Sequence, residues 1–458
     1  MATEGGITPE RAIQTKPEMG QVKPLEKPVE SDPKKETLGK QKVKVFFTDH
    51  SPDRKDIVPL DLDREGTGLP ENYNKTCETV LQMGGDFIRS DIRMNILYPQ
   101  PGNPDQEAMD RYANAFVNMK DRGLEPGLPV IGSTLPEWMM DLYKKGDREG
   151  FQKGWQGYNQ FVVENLAKKG VNVDKVQVLN ELNHFIAPNV AMEDLRKMFE
   201  ATREAFSQIN PDVQVWTTLA VSSLLEKTAL IGKGAGVMDY LDKLAPIAGS
   251  LDGVLFDQYA GFWDARPIEA NRGRFKFRDI IKSPGTTLER IRRNLFRFTD
   301  PLELAIRKAD SMGLKVGIGE MGFPAKNEGQ KQLEFFRNYP FALNRMFNNL
   351  ARDGVIDGSE ELMLGLYEVN DERYAGVPWE KYWGVMNEGV PKPVAQEGFV
   401  FEDKIKQAGR EVTNVDQPAR LRKMVDYLKR GSLQAIRSGE ERHELKQVRK
   451  ELAQEVQK

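Results

Sequence analysis

The sequence has a single cysteine, Cys77, so no intramolecular disulfide can form. Cys77 falls among apolar residues at helical spacing, which indicates a buried helix face and not a reactive thiol. Only three histidines occur, His50, His184 and His443, and they are too scattered to form a metal site. The sequence therefore predicts no disulfide, no metal site and no cofactor.

An excess of positive charge is also absent. Lys and Arg number 66 against 69 Asp and Glu, for a net charge of -3, so little charge is available to neutralise a phosphate backbone, and we expect no nucleic-acid partner. No stretch approaches the roughly 18 apolar residues that a membrane span needs, and no apolar segment follows a basic start as in a signal peptide. These absences predict a soluble, cytoplasmic protein without a membrane span, with secretion left open.

The amino-acid composition and hydrophobic pattern of the chain change twice. Residues 1–41 are rich in Pro, Lys, Glu and Gly, and they can bury too little apolar surface to offset the entropy of ordering, so they are predicted to form a disordered arm. Residues 42–402 alternate short β-branched or aromatic runs with helical patterns. Residues 403–458 are strongly charged and are predicted to form a helical extension that packs on the barrel or on a partner.

Eight runs between residues 43 and 367 are predicted to be strands. They are Val43–Phe47, Asp86–Asp91, Pro126–Ile131, Lys175–Leu179, Val213–Leu219, Asp252–Gln258, Lys315–Gly319 and Leu362–Tyr367. Gly123, Gly170 and Gly313 each follow a helical pattern and precede a strand, where a left-handed helix cap is needed. This alternation favours an α/β fold of the (β/α)8 TIM-barrel type over an open doubly wound sheet.

Two glutamates follow predicted strands of this barrel. Glu181 lies just after strand four, in Asn180-Glu181-Leu182-Asn183, and Glu320 lies just after strand seven. The carboxyl ends of all barrel strands meet at one mouth, where active sites are built. Two carboxyl groups facing each other there suit glycoside hydrolysis, because one protonates the leaving oxygen while the other stabilises or captures an oxocarbenium-like carbon.

The same segments resemble a known group of enzymes. Asn180-Glu181-Leu182-Asn183 is similar to the Asn-Glu-Pro-Asn motif, and Gly319-Glu320-Met321-Gly322 to the Thr-Glu-Phe-Gly motif, of the retaining glycoside hydrolases of clan A, as in families 39 and 5. In this 4/7 arrangement the resemblance implies Glu181 as acid/base, Glu320 as nucleophile and a covalent glycosyl intermediate. It also implies that Asn180 binds the 2-hydroxyl of the sugar under attack.

Other segments extend the resemblance. Arg89, in Phe87-Ile88-Arg89, looks like the strand-two arginine of the clan, and Tyr259, in Phe256-Asp257-Gln258-Tyr259, looks like its strand-six tyrosine. By resemblance, both side chains would hydrogen-bond Glu320 and favour its ionised form.

Two departures leave the substrate undecided. Leu182 replaces the usual proline, and strand eight ends at Tyr367 without the tryptophan that commonly underlies the sugar ring. The ring is therefore expected to stack on Tyr367 or on a loop tryptophan, and His184 is expected to line the cleft. The loop tryptophans are Trp138, Trp263 and Trp379, whereas Trp155 and Trp216 are assigned to the core.

The sequence thus predicts a retaining glycoside hydrolase that cleaves β-glycosidic bonds of an oligo- or polysaccharide. The alternative is a carbohydrate-binding TIM barrel whose catalysis has decayed. A metal-dependent lyase or aldolase would need clustered metal ligands or a Schiff-base lysine at a strand end, and neither is visible in the sequence. The sugar, the linkage, endo or exo action and the oligomeric state stay open.

Overall fold

The computed structural model describes most of the predicted barrel. The described residues are 42–49, 73–183, 190–221, 236–258, 299, 302–322, 329–356, 361–367, 369, 385–387 and 390–396. All of them belong to one compact unit, Glu36–Lys458, and the chain's other unit is Met1–Lys35. The arm predicted for 1–41 and the extension predicted for 403–458 lie outside the described residues.

Eight parallel strands close into a barrel in sequential order, which confirms the predicted fold. They are β1 (Lys42–Thr48), β2 (Phe87–Ile92), β3 (Leu128–Ile131), β4 (Lys175–Val178), β5 (Gln214–Ala220), β6 (Gly253–Asp257), β7 (Lys315–Glu320) and β8 (Glu361–Tyr367). β1 pairs with β8 along its whole length, from Lys42 opposite Glu361 to Thr48 opposite Tyr367, and this pairing closes the sheet. A short antiparallel pair, β9 (Met386–Asn387) and β10 (Val390–Pro391), follows.

Helices connect the strands and cover the outside of the barrel. They are Tyr73–Gln82, Met94–Leu97, Gln106–Asp121, Glu137–Lys144, Arg148–Lys168, Met192–Phe206, Val237–Leu244, the 3-10 helix Ala245–Ser250, 302–310, Gly329–Arg352 and Pro393–Gln396. Gly123 and Gly170 close two of them with φ of +88° and +65°, as the sequence predicted. Among the described residues, no helix has the length and apolar character to cross a membrane.

The bottom of the barrel interior is apolar. A separate buried cluster fills it, formed by Phe46, Phe87, Leu128, Trp216, Leu255 and Met363. The rings of Phe46 and Phe87 stack with their centroids 5.0 Å apart. Trp216 belongs to this cluster and Trp155 is fully buried against the outer helices, so both tryptophans are in the core as predicted.

The next layer of the interior is polar. Side chains two residues apart on a strand point to the same face, so each apolar residue is followed by another inward residue nearer the carboxyl end. Phe46 is followed by Thr48, Phe87 by Arg89, Trp216 by Thr218 and Leu255 by Asp257, and all four of these polar residues are buried. The barrel therefore carries a layer of buried polar groups just below its carboxyl-end mouth.

Candidate active site

An unusual backbone turn at the end of β4 holds Glu181. β4 ends at Val178, one residue earlier than predicted, because Leu179 has φ of +61°, and Glu181 follows with φ of +43°. Residues other than glycine rarely adopt such angles, at a cost of about 1–3 kcal/mol each. The neighbouring strand holds the turn, since Glu181 N donates to Thr218 Oγ1 (2.7 Å) and Leu182 N donates to Thr218 O (3.0 Å).

An irregularity at the end of β7 turns Glu320 into the barrel. Leu255 lies opposite Gly317, and both face the interior; strict alternation would then put Gly319 inside and Glu320 outside. Instead, a register shift between Phe256 and Asp257 pairs Asp257 with Glu320. Glu320 is thus the last residue of β7 and not a loop residue as predicted. Such a bulge can redirect a side chain at a strand end.

Together these two features gather three carboxyl groups. One oxygen from each of Glu181, Asp257 and Glu320 lies within 4.8 Å of the others. All three residues are buried, with relative exposures of 2%, 1% and 4%. The structure therefore brings the two predicted glutamates together and adds an aspartate that the sequence analysis did not single out.

Arg89 is the cation of this cluster. Its side chain is fully buried, and Nη1 donates to Glu320 Oε1 and to Thr48 Oγ1 (3.1 Å), while Nε donates to Gln177 Oε1 (2.8 Å). Burial alone would lower the pKa of Arg89, but the charges of Glu320 and Asp91 and the hydrogen bond to Glu320 outweigh it and raise that pKa. The guanidinium is therefore always charged, and it lies against Glu320 as a fixed positive charge.

Asn180 is oriented by the same network. Its Oδ1 accepts from Arg89 Nη2 (2.8 Å), Thr218 Oγ1 (2.7 Å) and Gln177 Nε2 (3.2 Å). Because three donors already reach this oxygen, the amide nitrogen is the part of the side chain best placed to bind a ligand. Asn183 has a structural role, since its side chain pairs with both backbone groups of Ala220, at 2.9 Å each, and ties the Glu181 segment to β5.

Sequence reasoning missed four residues of this network, and two left a signal. Gln177 is a polar residue between two valines of a buried strand, and Asp257 ends the apolar run Val254–Phe256. A polar side chain in a strand that is buried on both faces needs a partner inside the barrel. Thr48 and Thr218 carry no comparable signal, because threonine is common in strands.

The remaining predicted site residues are not gathered around the carboxyl groups by the described structure. Trp138 donates from Nε1 to Tyr98 O (3.0 Å) and lines a cavity of about 510 Å³ with Asp141, Lys145 and Lys153, which none of the three carboxyl groups borders. Only the backbone of Tyr367 is described, at the end of β8. The predictions for His184, Tyr259, Trp263 and Trp379 lie outside the described residues.

The three carboxyl groups are also close enough to surround a small cation. However, Arg89 already contacts Glu320 and supplies a fixed positive charge beside the cluster. A divalent ion would have to share Glu320 with this guanidinium, which repels it. The arrangement suits proton transfer and nucleophilic attack by carboxyl groups better than it suits metal binding.

Comparison with solved structures shows that other proteins share this barrel fold. No protein-family profile matches the sequence, and a search of curated proteins found no match. Among solved structures, GH5_18 from Streptomyces cattleya in complex with GlcNAc is similar, with 14% identity and a TM-score of 0.54 over 82% of this chain and 83% of that one. Fpglu1 from Fervidobacterium pennivoraus has 16% identity and a TM-score of 0.51 over 83% and 98%.

A third similar structure is larger than this chain. The exo-beta-1,4-mannosidase Op5Man5 from Opitutaceae bacterium strain TAV5 has 12% identity and a TM-score of 0.52, over 81% of this chain. The match spans only 60% of the length of that mannosidase. At these identities the likeness establishes a shared barrel fold and no more.

Proposed function

We propose that this protein is a retaining glycoside hydrolase that cleaves β-glycosidic bonds, with Glu320 as nucleophile and Glu181 as acid/base. The observation that carries the proposal is the approach of Glu181 and Glu320, oxygen to oxygen, within 4.8 Å at the barrel mouth. Retaining enzymes separate their two carboxyl groups by about 5–5.5 Å, and inverting enzymes by about 6.5–9.5 Å to admit a water. The close approach supports direct attack by a carboxylate.

The surroundings fit different roles for the two glutamates. Glu320 contacts the Arg89 guanidinium, so a fixed positive charge lies beside the carboxyl group that is proposed to attack. Glu181 is held through its backbone by Thr218, while the guanidinium of Arg89 makes its contact with Glu320. Glu181 protonates the leaving oxygen as Glu320 attacks the anomeric carbon; it then removes a proton from the water that releases the sugar.

The similar structures suggest which β-glycosides to try first. One neighbour is named as a β-1,4-mannosidase, and another is a complex with GlcNAc. A first panel of aryl β-mannosides, β-glucosides and β-N-acetylglucosaminides therefore covers the chemistry of these neighbours. Asn180, whose amide nitrogen remains for a ligand, is assigned to the 2-hydroxyl of the bound sugar.

A mechanism-based label tests this proposal directly. Activated 2-deoxy-2-fluoro β-mannosides and β-glucosides are expected to add one fluorosugar to the protein, because fluorine slows release of the covalent intermediate. Mass spectrometry of peptides should place the label on Glu320, the last residue of β7 (Lys315–Glu320). A label on Glu181 would exchange the two roles proposed here, and a label on Asp257 would remove Glu320 as the nucleophile. Cleavage without any trapped intermediate would argue for inversion.

Chelation separates the proposal from a metal-dependent barrel enzyme. We expect kcat/KM on the best aryl glycoside to change by less than about twofold after dialysis against EDTA, because the steps above need no Lewis acid. Addition of Mg²⁺, Mn²⁺ or Zn²⁺ to the dialysed protein is the control. A loss of activity that one of these ions restores would assign the three carboxyl groups to a metal.

A further inference from the structure

Asp257 is the carboxyl group of the cluster that the proposed mechanism does not use. It ends β6, faces the barrel interior and is 1% exposed. Neither of its oxygens receives a hydrogen bond from a residue that the structure describes. The Thr218 hydroxyl lies near Asp257 and lowers the pKa of this carboxyl group, but its one proton goes to Asn180 Oδ1 (2.7 Å). As a carboxylate, Asp257 would thus be a buried charge to which no described residue donates, which is costly.

The charges around Asp257 do not compensate it either. Glu320 faces it from β7, Glu181 from the segment after β4, and Arg89 from β2. The one guanidinium makes its contact with Glu320. The negative charge of Glu320 lies beside Asp257, so a charged Asp257 would add a second negative charge in a buried space, and no described residue donates to it. The arrangement therefore disfavours the charged form of Asp257.

The backbone of β7 is shaped to admit this carboxyl group. Gly319 immediately precedes Glu320, and a Cβ atom at that position would lie 2.2 Å from Asp257 Oδ1. Any other residue there would push the aspartate away. Asp257 thus lies against the strand that carries Glu320 and is paired with Glu320 in register.

Burial raises the pKa of Asp257 well above its ordinary value, and the negative charge of Glu320 raises it further. Arg89 opposes this effect, and Glu181 adds to it. The raised pKa agrees with the geometry, because burial and the lack of a described donor also disfavour the ionised form of Asp257.

We propose that Asp257 is a positioning residue: a proton-bearing carboxyl group that stabilises the ionised form of Glu320 and adds no negative charge beside Glu181. This inference rests on the proposed glycosidase function. A neutral carboxyl group has one hydrogen to donate, and a donor facing a carboxylate favours the charged form of that carboxylate. The proton stays on Asp257 through both steps of the reaction, so no atom is gained or lost.

Two variants of Asp257 test the positioning role. Asp257→Asn keeps the shape, the neutral charge and a donor, whereas Asp257→Leu keeps the approximate size but has no donor. In the pH profile of kcat/KM, we expect the acid limb of Asp257→Leu to move up by about one pH unit, and that of Asp257→Asn to stay within about 0.3 unit of wild type. Asp194→Asn is the matched control, because Asp194 is also buried but accepts from Tyr143 and lies outside the cluster.

The outcomes are distinct from those of a structural role. A residue that only filled space would leave the acid limb unmoved in the leucine variant. The proposal is overturned if Asp257→Asn shifts the acid limb as far as Asp257→Leu does. It is also overturned if Asp257→Asn moves the alkaline limb down by about one pH unit. In either case the negative charge of Asp257 would be the functional feature. Failure of the asparagine variant to fold would overturn it too, because a neutral isostere must be tolerated where a neutral carboxyl group stands.

Thermal unfolding supplies a test that does not depend on activity. Because the pKa of Asp257 is raised in the folded state, its native form keeps a proton that the unfolded chain releases above about pH 4. Wild type therefore loses stability relative to Asp257→Asn as pH rises towards the folded pKa. We expect the Tm of the variant minus that of wild type to increase by about 2–4 °C between pH 5 and pH 8.

This second measurement keeps the two proposals apart. If wild type cleaves none of the glycosides, the proposed function fails, but the Tm difference still reports whether Asp257 is neutral. A Tm difference that stays constant over this range, or that falls, would show an ionised Asp257 and overturn the inference. If the protein cleaves glycosides but the Tm difference is constant, the hydrolase proposal stands and the inference about Asp257 fails.

Discussion

Replacement of Glu320 by glutamine is expected to lower kcat on aryl β-glycosides by about 10⁴-fold or more, because losses of this order follow removal of a nucleophile. The amide can neither attack the anomeric carbon nor carry the negative charge that pairs with Arg89. Initial rates on the best substrate of the panel, with wild type at the same pH, measure the loss. No fluorosugar should be trapped by the variant.

A matched control separates lost chemistry from lost stability. Breaking the buried contact between Arg89 and Glu320 is expected to cost about 3 kcal/mol of folding free energy, so Tm has to be measured and the assays run well below it. Glu303→Gln is the control, since Glu303 is 2% exposed and accepts from Arg307 (2.8 Å) outside the cluster. If wild type itself binds sugars but cleaves none, the protein is the decayed carbohydrate-binding barrel.

Replacement of Glu181 by alanine is expected to have an effect that depends on the leaving group. For a sugar leaving group, kcat/KM should fall by about 10²–10⁴-fold, the usual contribution of a general acid. For a dinitrophenyl β-glycoside, kcat/KM should change little, because this leaving group departs without a proton. Release of the enzyme-bound sugar should then become rate-limiting, so kcat and KM should fall together.

Azide distinguishes the two glutamates further. A small anion needs no general base, so it should restore turnover of the dinitrophenyl glycoside by Glu181→Ala and form a β-glycosyl azide with retained configuration. Glu320→Gln serves as the comparison, since its loss should not depend on the leaving group. An equal loss on both substrates with Glu181→Ala would contradict the assignment of Glu181 as acid/base.

The fold was largely predictable because its signals are local. Short β-branched runs between amphipathic segments predicted all eight strands. Gly123 and Gly170 marked the ends of two helices, because the backbone there has a positive φ that glycine adopts readily. The errors were confined to strand ends. β4 stops before Leu179, and β7 continues through Glu320, because contacts with neighbouring strands decide where a strand ends.

The site was only partly predictable, because its members come from separate strands. Glu181 and Glu320 could be proposed from their positions after strands four and seven, and Arg89 from its resemblance. Asp257 carried a weak signal, a carboxyl group at the end of an apolar run, but nothing local indicated that it approaches both glutamates. That approach depends on the closed barrel and on the bulge between β6 and β7.

The sequence by itself determined the order of strands and helices and the strand ends on which acidic residues lie, because hydrophobic periodicity and helix caps act over a few residues. Only the tertiary structure decided which side chains face inward at the mouth. A register shift of one residue turns Glu320 from the outside of the sheet to its interior, and Thr218 holds Glu181 in a backbone conformation that its own sequence disfavours. Both depend on contacts between strands far apart in the chain, which no local pattern encodes.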